Sequence, residues 1–508
     1  MTKKNITLCL TIFLVCIAMA VWAKERSFNR VTTERRIARI DPESWSSGSL
    51  TVSPDSRRVA YMADVGFDKQ PVAYPPKVKW SSTVMIVDGE KGKRYDGMSS
   101  AIFSPDSKRI AYIAKESDKW FVVVDGKEGK QYDGVGVMGL IFSPDSKRVA
   151  YPAREGDAWF VVVDGEEGKK YDNIGFPVKF SPDSKRIVYK AKEGDKLFVV
   201  VDGEEQKEYD DIGYPVIFSP DSKQIAYKAK MGNNYFVVID EKEGKQYDGL
   251  WHGTPIFSPD SRRVAYAGFD SDKVVVVVDE KEGKPYDAIS TINFSPDSKR
   301  VGYVVQVGKR FERLSVDTVG DVTFITPQVK QIIDGGKTDV RWLVVIDEKE
   351  GKPYDDIAKG TFIFSPDSKR MVYVVFVGNR QHVVIDEKVE KEYDAIMEGH
   401  PIFSPDSKRL VYGAEEDEKW FVVVDEIEGK NYDGIGAGSI LFSQDSKRVA
   451  YAAVDDDKWC VVVDGKKGKQ YDGIITTEGA RIIFDSPDSL HYLARKGNAI
   501  YLVEEQIK

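Results

Sequence analysis

Residues 139–175 read GLIFSPDSKRVAYPAREGDAWFVVVDGEEGKKYDNIG, and this stretch decides the fold because the chain repeats it. Its apolar runs are short, rich in Val, Ile, Tyr and Phe, and separated by Pro, Asp and Gly. Such runs are typical of β-strands, and none between turns reaches the length of an ordinary helix. The stretch predicts four strands, near 140–142, 147–151, 159–163 and 169–172.

The tetrapeptide Ser-Pro-Asp-Ser marks each repeat. Most copies follow one another after 37 to 39 residues, but the spacing is 51 after the first, 70 after the seventh and 43 before the last. Pro presets a turn angle, and Asp and Ser can bond nearby backbone groups, so we interpret the motif as the turn between the first two strands. The copies begin at Ser53, Ser104, Ser143, Ser181, Ser219, Ser258, Ser295, Ser365, Ser404, Ser443 (with Gln444 for Pro) and Ser486.

Each repeat needs cover on both faces of its sheet. The runs Val122–Val124 and Val274–Val278 are apolar at consecutive positions, which indicates strands that are buried on both sides. A lone four-stranded sheet cannot bury both faces, so its stability must come from neighbouring repeats. Repeated sheets stacked around an axis form a β-propeller. We therefore predict an all-β protein, a propeller of eleven four-stranded blades.

The repeat resembles the TolB-type, WD40-like β-propeller repeat, in which an apolar residue, Ser-Pro-Asp, a small residue and Lys-Arg precede an apolar-aromatic strand. The resemblance covers about residues 48–508. TolB proteins carry a separate mixed α/β domain before the propeller, whereas here about 25 residues separate the predicted signal from the first repeat. The resemblance therefore implies the propeller fold, and this departure argues against a role in the Tol–Pal system.

The ends of the chain are expected to meet in one blade. The last copy supplies three strands, and Arg35–Ile40 just before the first copy is the predicted fourth. Such closure removes open sheet edges, which otherwise promote aggregation. Eleven blades exceed the usual four to eight, so two smaller rings of six and five blades are the alternative to one large ring.

The first 23 residues are predicted to be a signal peptide. Lys3 and Lys4 precede an apolar stretch from Ile6 to Ala20, and small residues suitable for cleavage follow. Residues 24–47 then form an N-terminal segment with the closing strand. We expect a periplasmic or secreted monomer, without a membrane span in the mature chain; an uncleaved N-terminal anchor is the alternative.

Charge and cysteine content exclude several classes of function. Without residues 1–23 the chain carries 72 basic and 82 acidic residues, a balance that argues against binding to nucleic acid. Cys460 is then the one remaining cysteine, and its place in an apolar run indicates a buried side chain. The sequence has no Gly-x-Ser-x-Gly, no Gly-rich phosphate loop and no His-Glu-x-x-His, and it predicts no cofactor, no metal and no catalytic residue.

Two insertions are the first candidates for a functional surface. The first copy has about 12 extra residues around Phe67–Trp80, and the seventh has about 31 around Arg310–Asp339. Both lie between the second and third strands, so they should emerge on the same face of the ring. Loops on a rigid scaffold are where binding sites tend to lie. Phe311 and Phe324 of the longer insert, a predicted hairpin, are therefore candidate binding residues.

A second set of candidates breaks the repeat pattern in the links between blades. Phe176, Tyr214, Trp251, His252 and His400 occupy link positions that vary from copy to copy, and they are predicted to line one end of the channel. The alternative is that a lone histidine there is an ordinary surface residue.

Tyr-Asp recurs ten times at the entry to the links, for example at Asp96, Asp133, Asp172 and Asp248. We interpret each carboxylate as the cap of its own turn. A ring of carboxylates that binds a cation or a basic partner is the alternative.

These observations favour an exported, non-enzymatic scaffold that binds a protein or a cell-envelope component. A propeller lyase or glycoside hydrolase with its site at the channel mouth is the alternative. A carbohydrate or cation binder is a third hypothesis.

Overall fold

A computed structural model describes residues 29–41, 44–46, 48–64, 82–308, 314–319, 322–327, 340–399, 401–476 and 479–508. Within these residues the chain is built of β-strands and one short 3-10 helix, Val137–Gly139. The strands form eleven antiparallel sheets, the blades, and one two-stranded hairpin. The prediction of an all-β propeller with eleven blades is confirmed.

The blades follow the repeats in order, and each runs from an inner strand to an outer strand. In the described part of seven blades, the inner strand consists of two short pieces that both pair with the second strand. Blade one contains Thr51–Val52, Val59–Asp64, Thr83–Val87 and Glu90–Tyr95; blade two Gly97–Met98, Ile102–Phe103, Ile110–Glu116, Lys119–Val124 and Lys127–Glu128; blade three Gly134–Val135, Ile141–Phe142, Val149–Glu155, Ala158–Val163 and Glu166–Glu167; blade four Asn173–Phe180, Ile187–Glu193, Lys196–Val201 and Glu204–Glu205; blade five Asp211–Phe218, Ile225–Met231, Asn234–Ile239 and Lys242–Glu243; blade six Gly249–Leu250, Ile256–Phe257, Val264–Asp270, Lys273–Val278 and Lys281–Tyr286.

The second half of the ring has the same plan. Blade seven contains Ala288–Phe294, Val301–Val307, Arg341–Ile346 and Lys349–Glu350, with the hairpin Leu314–Val319 and Val322–Pro327 between its second and third strands; blade eight Asp356–Ile357, Ile363–Phe364, Met371–Val377, Arg380–Ile385 and Lys388–Tyr393; blade nine Ala395–Ile396, Ile402–Phe403, Leu410–Glu416, Lys419–Val424 and Ile427–Glu428; blade ten Gly434–Ile435, Leu441–Phe442, Val449–Asp455, Lys458–Val463 and Lys466–Tyr471; blade eleven Gly473–Ile474, Ile483–Ser486, Ser489–Lys496, Ala499–Ile507 and Arg30–Arg39.

The core lies between the blades. The described residues contain eleven clusters of buried apolar side chains, and each cluster joins one blade to the next. One of them contains Val52 and Tyr61 of blade one together with Leu493 and Leu502 of blade eleven. The blades therefore form one closed ring, rather than two smaller ones. Cys460 is buried in the cluster between blades nine and ten, as its apolar surroundings predict.

The Ser-Pro-Asp-Ser turn is a structural element, as interpreted from the sequence. In blade three the Ser143 hydroxyl donates to Asp145 Oδ1 at 2.6 Å and accepts the backbone N–H of Arg148 at 3.0 Å. The backbone N–H of Asp145 donates to Ser184 Oγ in the next blade at 2.9 Å. The first serine thus shapes the turn, and the second connects the turns of neighbouring blades.

An arginine after this turn also connects blades. Arg148 donates to Asp164 at 2.9 Å within its own blade, and its guanidinium lies 5.2 Å from the centre of the Phe180 ring in the next. Equivalent arginines stack on the next blade in the same way, but blade five has Gln224 at this position. The interface between blades five and six therefore lacks this cation–π contact.

The N-terminal strand completes the last blade. Arg30–Arg39 pairs antiparallel with Ala499–Ile507, with one irregularity between Arg36 and Ala38. The pairing places both described ends of the chain in blade eleven. It covers the strand edge that Ala499–Ile507 would otherwise expose.

Candidate functional site

The Tyr-Asp carboxylates hold the ring together. Asp133 accepts the backbone N–H of Gly156 at 2.7 Å, and Asp172 accepts that of Gly194 at 2.7 Å. Each therefore caps the turn between the second and third strands of the following blade, and not its own turn as interpreted from the sequence. The pKa of Asp133 is lowered by the Gly156 N–H and by Lys119, whose ammonium donates to it at 2.6 Å.

One group of carboxylates converges more closely than the others. Oxygen atoms of Asp433, Asp455 and Asp456 lie within 4.8 Å of one another. Lys419 donates to Asp433 at 2.6 Å, and Lys467 donates to Asp455. These lysines offset the negative charge, so the group is accounted for by ion pairing.

The second strands of blades one and seven, Val59–Asp64 and Val301–Val307, run towards the same face of the ring, and the two insertions follow them in the sequence. Phe67–Trp80 and Phe311 lie outside the described residues. Phe324 lies in the second strand of the hairpin, which approaches the inner strand of blade five with Cα atoms within 8 Å. The longer insertion and blade five thus contribute to one region.

The inner strands of blades four and five are continuous but bulged. Their pairing with the second strands shifts between Gly175 and Lys179 in blade four, and between Gly213 and Ile217 in blade five. Two predicted candidates, Phe176 and Tyr214, lie within these bulges. The Tyr214 side chain is about half exposed, and Lys179 of blade four lies 5.5 Å from the centre of its ring.

Two lysines project from the second strands of these blades into the spaces between blades. Lys190 of blade four donates to the carbonyl of Ile212 in blade five at 3.1 Å and lies 3.9 Å from Asp211. Lys228 occupies the same place one blade further along. A Cβ atom at Gly213 would lie 3.1 Å from Lys228 Cε, so the glycine leaves room for this lysine.

Lys228 joins blade five to the two candidates in blade six. Its ammonium faces the carbonyls of Trp251 and His252, at 3.5 and 3.4 Å. Trp251 is buried, and its ring lies 4.5 Å from that of His252, centre to centre. His252 Nδ1 is buried without a hydrogen-bond partner.

Burial lowers the pKa values of the basic side chains around Lys228 and His252. It lowers the pKa of the Lys228 amine to about 8, and the carboxylate of Asp211 opposes that shift. The pKa of His252 is lowered by burial, and by the positive charges of Lys228 and Lys359. Burial also lowers the pKa of Lys179. Several basic groups therefore share one poorly solvated region, which is a common property of functional sites.

The structure thus brings two predicted residues, Trp251 and His252, together beside Lys228, and a third, Tyr214, follows Gly213, which lies against Lys228 in the same blade. We call these, with Lys179, Lys190, Asp211 and Lys228, the rim cluster. His400 lies outside the described residues, and of Phe176 only the backbone is described.

The sequence analysis missed the lysines, although the repeat contains the signal. The residue after the repeated tyrosine of the second strand is apolar or glycine in nine blades, and lysine only in blades four and five. Because two adjacent repeats share this change to lysine, the position could be identified from the sequence as a candidate binding position. The nine other residues are Met62, Ile113, Pro152, Ala267, Val304, Val374, Gly413, Ala452 and Leu493.

No model of a protein family matches this sequence, and no curated protein matches it either. Similar solved structures include an entity described as the eukaryotic initiation factor, at 13% identity over 69% of this chain and 94% of that chain, with a TM-score of 0.36. TolB from Acinetobacter baumannii is 17% identical over 46% of this chain and 61% of its own, with a TM-score of 0.24.

The β-propeller domain of the Trilobed protease from Pyrococcus furiosus is 13% identical over 58% of this chain and 94% of that chain, with a TM-score of 0.26. The architecture described above rests on the strand pairing of this chain, independently of these similarities. Among the residues that the structure describes, no helix has the length and apolar character needed to cross a membrane.

Proposed function

We propose that this protein is an exported, non-enzymatic scaffold that binds a protein or a cell-envelope component at the rim cluster and the adjacent insertion. The observation that carries the proposal is where the chain departs from its own repeat. The repeated polar residues, among them Ser143, Arg148 and Asp172, bond within and between blades. Several residues that differ from blade to blade, Tyr214, Lys228, Trp251 and His252, lie in the neighbouring blades five and six.

The surroundings of the rim cluster support a binding role. The Tyr214 side chain is about half exposed, and the half-buried Lys179 of the neighbouring blade four lies beside it. An aromatic ring next to a positive charge provides both apolar contact and specificity. The hairpin of blade seven approaches the same inner strand, which extends the surface available to a partner.

The family and the cellular location belong to the proposal as well. The repeat motif supports membership in the TolB-type repeat family, and the residues before Arg30 support export to the periplasm or the medium as a monomer. N-terminal sequencing of protein from the periplasmic fraction tests the location. A start at Lys24 or Val21 supports export with cleavage, and full-length protein in the cytoplasm contradicts it.

Partner capture tests the binding function. The chain from residue 24 is used as bait in an envelope extract, beside a Tyr214→Ser/His252→Ala variant and a deletion of residues 309–339. We expect both variants to lose the partner that the unmodified chain captures. Lys185→Glu is the matched control, because Lys185 is 81% exposed and lies in a Ser-Pro-Asp-Ser turn on the opposite face. Capture that is equal with all baits refutes the proposal.

An enzyme with its site at the same place is the second candidate. The lowered pKa values of Lys228 and His252 favour it, because catalytic groups often titrate near neutral pH. A screen for lyase and glycoside hydrolase activity tests this candidate. Turnover by the unmodified chain that is abolished in His252→Ala would replace the scaffold with an enzyme.

A further inference from the structure

We propose that the rim cluster is a binding site for an organic oxyanion, a carboxylate or a phosphate, held by Lys228 and His252 with Lys190 and Lys179 beside them. The inference rests on the proposed function, because it names the chemistry that the rim recognises.

The two central groups have hydrogen-bonding capacity that the protein leaves unused. A lysine ammonium carries three donors, but the acceptors that face Lys228 are two carbonyls at 3.4 and 3.5 Å, at the long limit of a hydrogen bond. His252 Nδ1 is buried and has no partner. Leaving buried polar groups without partners is unfavourable, so a ligand that accepts hydrogen bonds from Lys228 and from the Nδ1–H tautomer of His252 would gain free energy.

The charge balance selects an anion. Lys179, Lys190 and Lys228 lie on adjacent blades, and the charge of Lys359 in blade eight also acts on His252. Asp211 is the carboxylate that acts on Lys228, and it lies 3.9 Å from Lys190. Positive charge is thus in excess within a poorly solvated region. A bound oxyanion would restore the balance through charge-assisted hydrogen bonds.

The neighbouring surface selects an organic ligand. Tyr214 follows Gly213, which lies against Lys228, and its ring is about half exposed beside Lys179. We therefore expect an apolar or aromatic group of the ligand to contact this ring while the oxyanion binds at Lys228 and His252. A free inorganic anion would bind at Lys228 and His252 without the contact to Tyr214. A comparison of probes with and without an apolar group therefore tests this part of the inference.

The experiment is a calorimetric titration of the chain from residue 24 with benzoate, phenyl phosphate and inorganic phosphate, each against sodium chloride at equal ionic strength. We expect benzoate or phenyl phosphate to bind, and to bind more tightly than inorganic phosphate. The preference between benzoate and phenyl phosphate distinguishes a carboxylate from a phosphate ligand. Binding no tighter than that of chloride for all three probes overturns the inference.

Lys228→Met tests the residue assignment. Loss of one charge-assisted hydrogen bond should weaken binding roughly 10- to 100-fold. The variant is expected to fold, because the nine other blades tolerate uncharged residues at this position. Lys192→Met is the matched control, since Lys192 is an exposed lysine two residues from Lys190 on the same strand, and it should change the affinity less than twofold. Equal affinity in Lys228→Met and the unmodified chain overturns the assignment.

A measurement on the chain without substitutions tests the role of Lys228 independently of the Lys228→Met variant. In a chain with 13C-methylated lysines, the resonance that titrates near pH 8 should move to higher pH when the anion binds. An unchanged titration contradicts the inference. If the anions fail to bind but partner capture still depends on Tyr214 and His252, this inference fails while the scaffold function stands. If anions bind and capture does not depend on the rim, the scaffold function fails and the anion site stands.

Discussion

A buried ion pair between Arg30 and Glu505 helps to hold the closing strand, and it provides a sharp test of the ring. Arg30 Nε donates to Glu505 at 2.5 Å, and the same guanidinium donates to the carbonyls of Val461 and Lys466 in blade ten at 3.0 and 2.9 Å. The Glu505 side chain has no exposed surface, and it also accepts a hydrogen bond from Tyr492 at 2.6 Å. The pair thus connects the N-terminal strand to two blades at once.

Arg30→Met leaves the Glu505 carboxylate buried without its cation. Breaking a buried pair in this way destabilises by about 3–5 kcal/mol. This loss of free energy weakens the pairing of Arg30–Arg39 with Ala499–Ile507. The N-terminal strand should therefore separate from blade eleven before the rest of the ring unfolds. A free energy of that size corresponds to roughly 10²- to 5 × 10³-fold faster amide exchange in Ala499–Ile507.

Hydrogen exchange followed by mass spectrometry measures this effect, with peptides from blade four as internal reference. Arg30→Met/Glu505→Met removes both charges and should exchange much more slowly than the single variant, because no charge stays buried. Lys169→Met, which breaks the exposed pair with Glu205, should change stability by less than about 1 kcal/mol. Unchanged exchange in Ala499–Ile507 of Arg30→Met would refute the role given to the ion pair.

Three further predictions concern the interfaces between blades. Gln224→Arg should supply the missing cation–π contact and stabilise the chain by about 0.5–1 kcal/mol in urea unfolding; no gain would contradict the role of the arginines. Ser184→Ala removes the acceptor of the Asp145 N–H and should destabilise by about 1 kcal/mol in the same assay, whereas a neutral result would contradict the inter-blade bond. The folded chain binds fewer protons than the unfolded chain between about pH 8 and 10.5, because burial lowers the pKa of Lys228. Lys228→Met should therefore be more stable than the unmodified chain at pH 7, with a difference that fades towards pH 10.5; a less stable variant at pH 7 would contradict this prediction.

The number and order of the blades could be predicted because each repeat supplies its own strands. The strands of blade three come from residues 134–167, within one repeat length, so local pattern and turn chemistry were sufficient. The bulges in the inner strands of blades four and five could also be predicted from the sequence. Their links from the repeated tyrosine to the next serine, Tyr171 to Ser181 and Tyr209 to Ser219, are one residue shorter than Tyr132 to Ser143.

Contacts between blades could not be predicted in the same way. Every repeat offers the same donors and acceptors, so the sequence does not distinguish a bond within a repeat from the equivalent bond to the next one. Asp172 illustrates the ambiguity, because a turn of its own blade and the turn at Gly194 in the following strand pair are chemically alike. Only the way the blades stack determines that Asp172 caps the turn at Gly194, and this stacking depends on the whole ring.

The last repeat shows a second limit. Ser486-Pro487-Asp488-Ser489 has the same four residues as the other copies, but here Ser486 pairs with Ser489 across a tight turn. The Lys-Arg that follows elsewhere is missing, and His491 is buried at the junction with blade one, where it contacts the carbonyl of Asp55 at 2.7 Å. The motif alone therefore does not determine the turn, because the residues after it set where the second strand begins.

The interface between blades five and six has the smallest apolar cluster among the described residues, as the proposed binding role of the rim cluster predicts. Its cluster contains six buried apolar residues, whereas the other ten contain between ten and fourteen. Two departures from the repeat lie at this interface: Gln224 replaces the stacking arginine, and Lys228 replaces an uncharged residue. Stability alone would favour the residues that the other blades carry. A chain that keeps both departures at one interface gives up packing there, which is expected where binding imposes its own requirement.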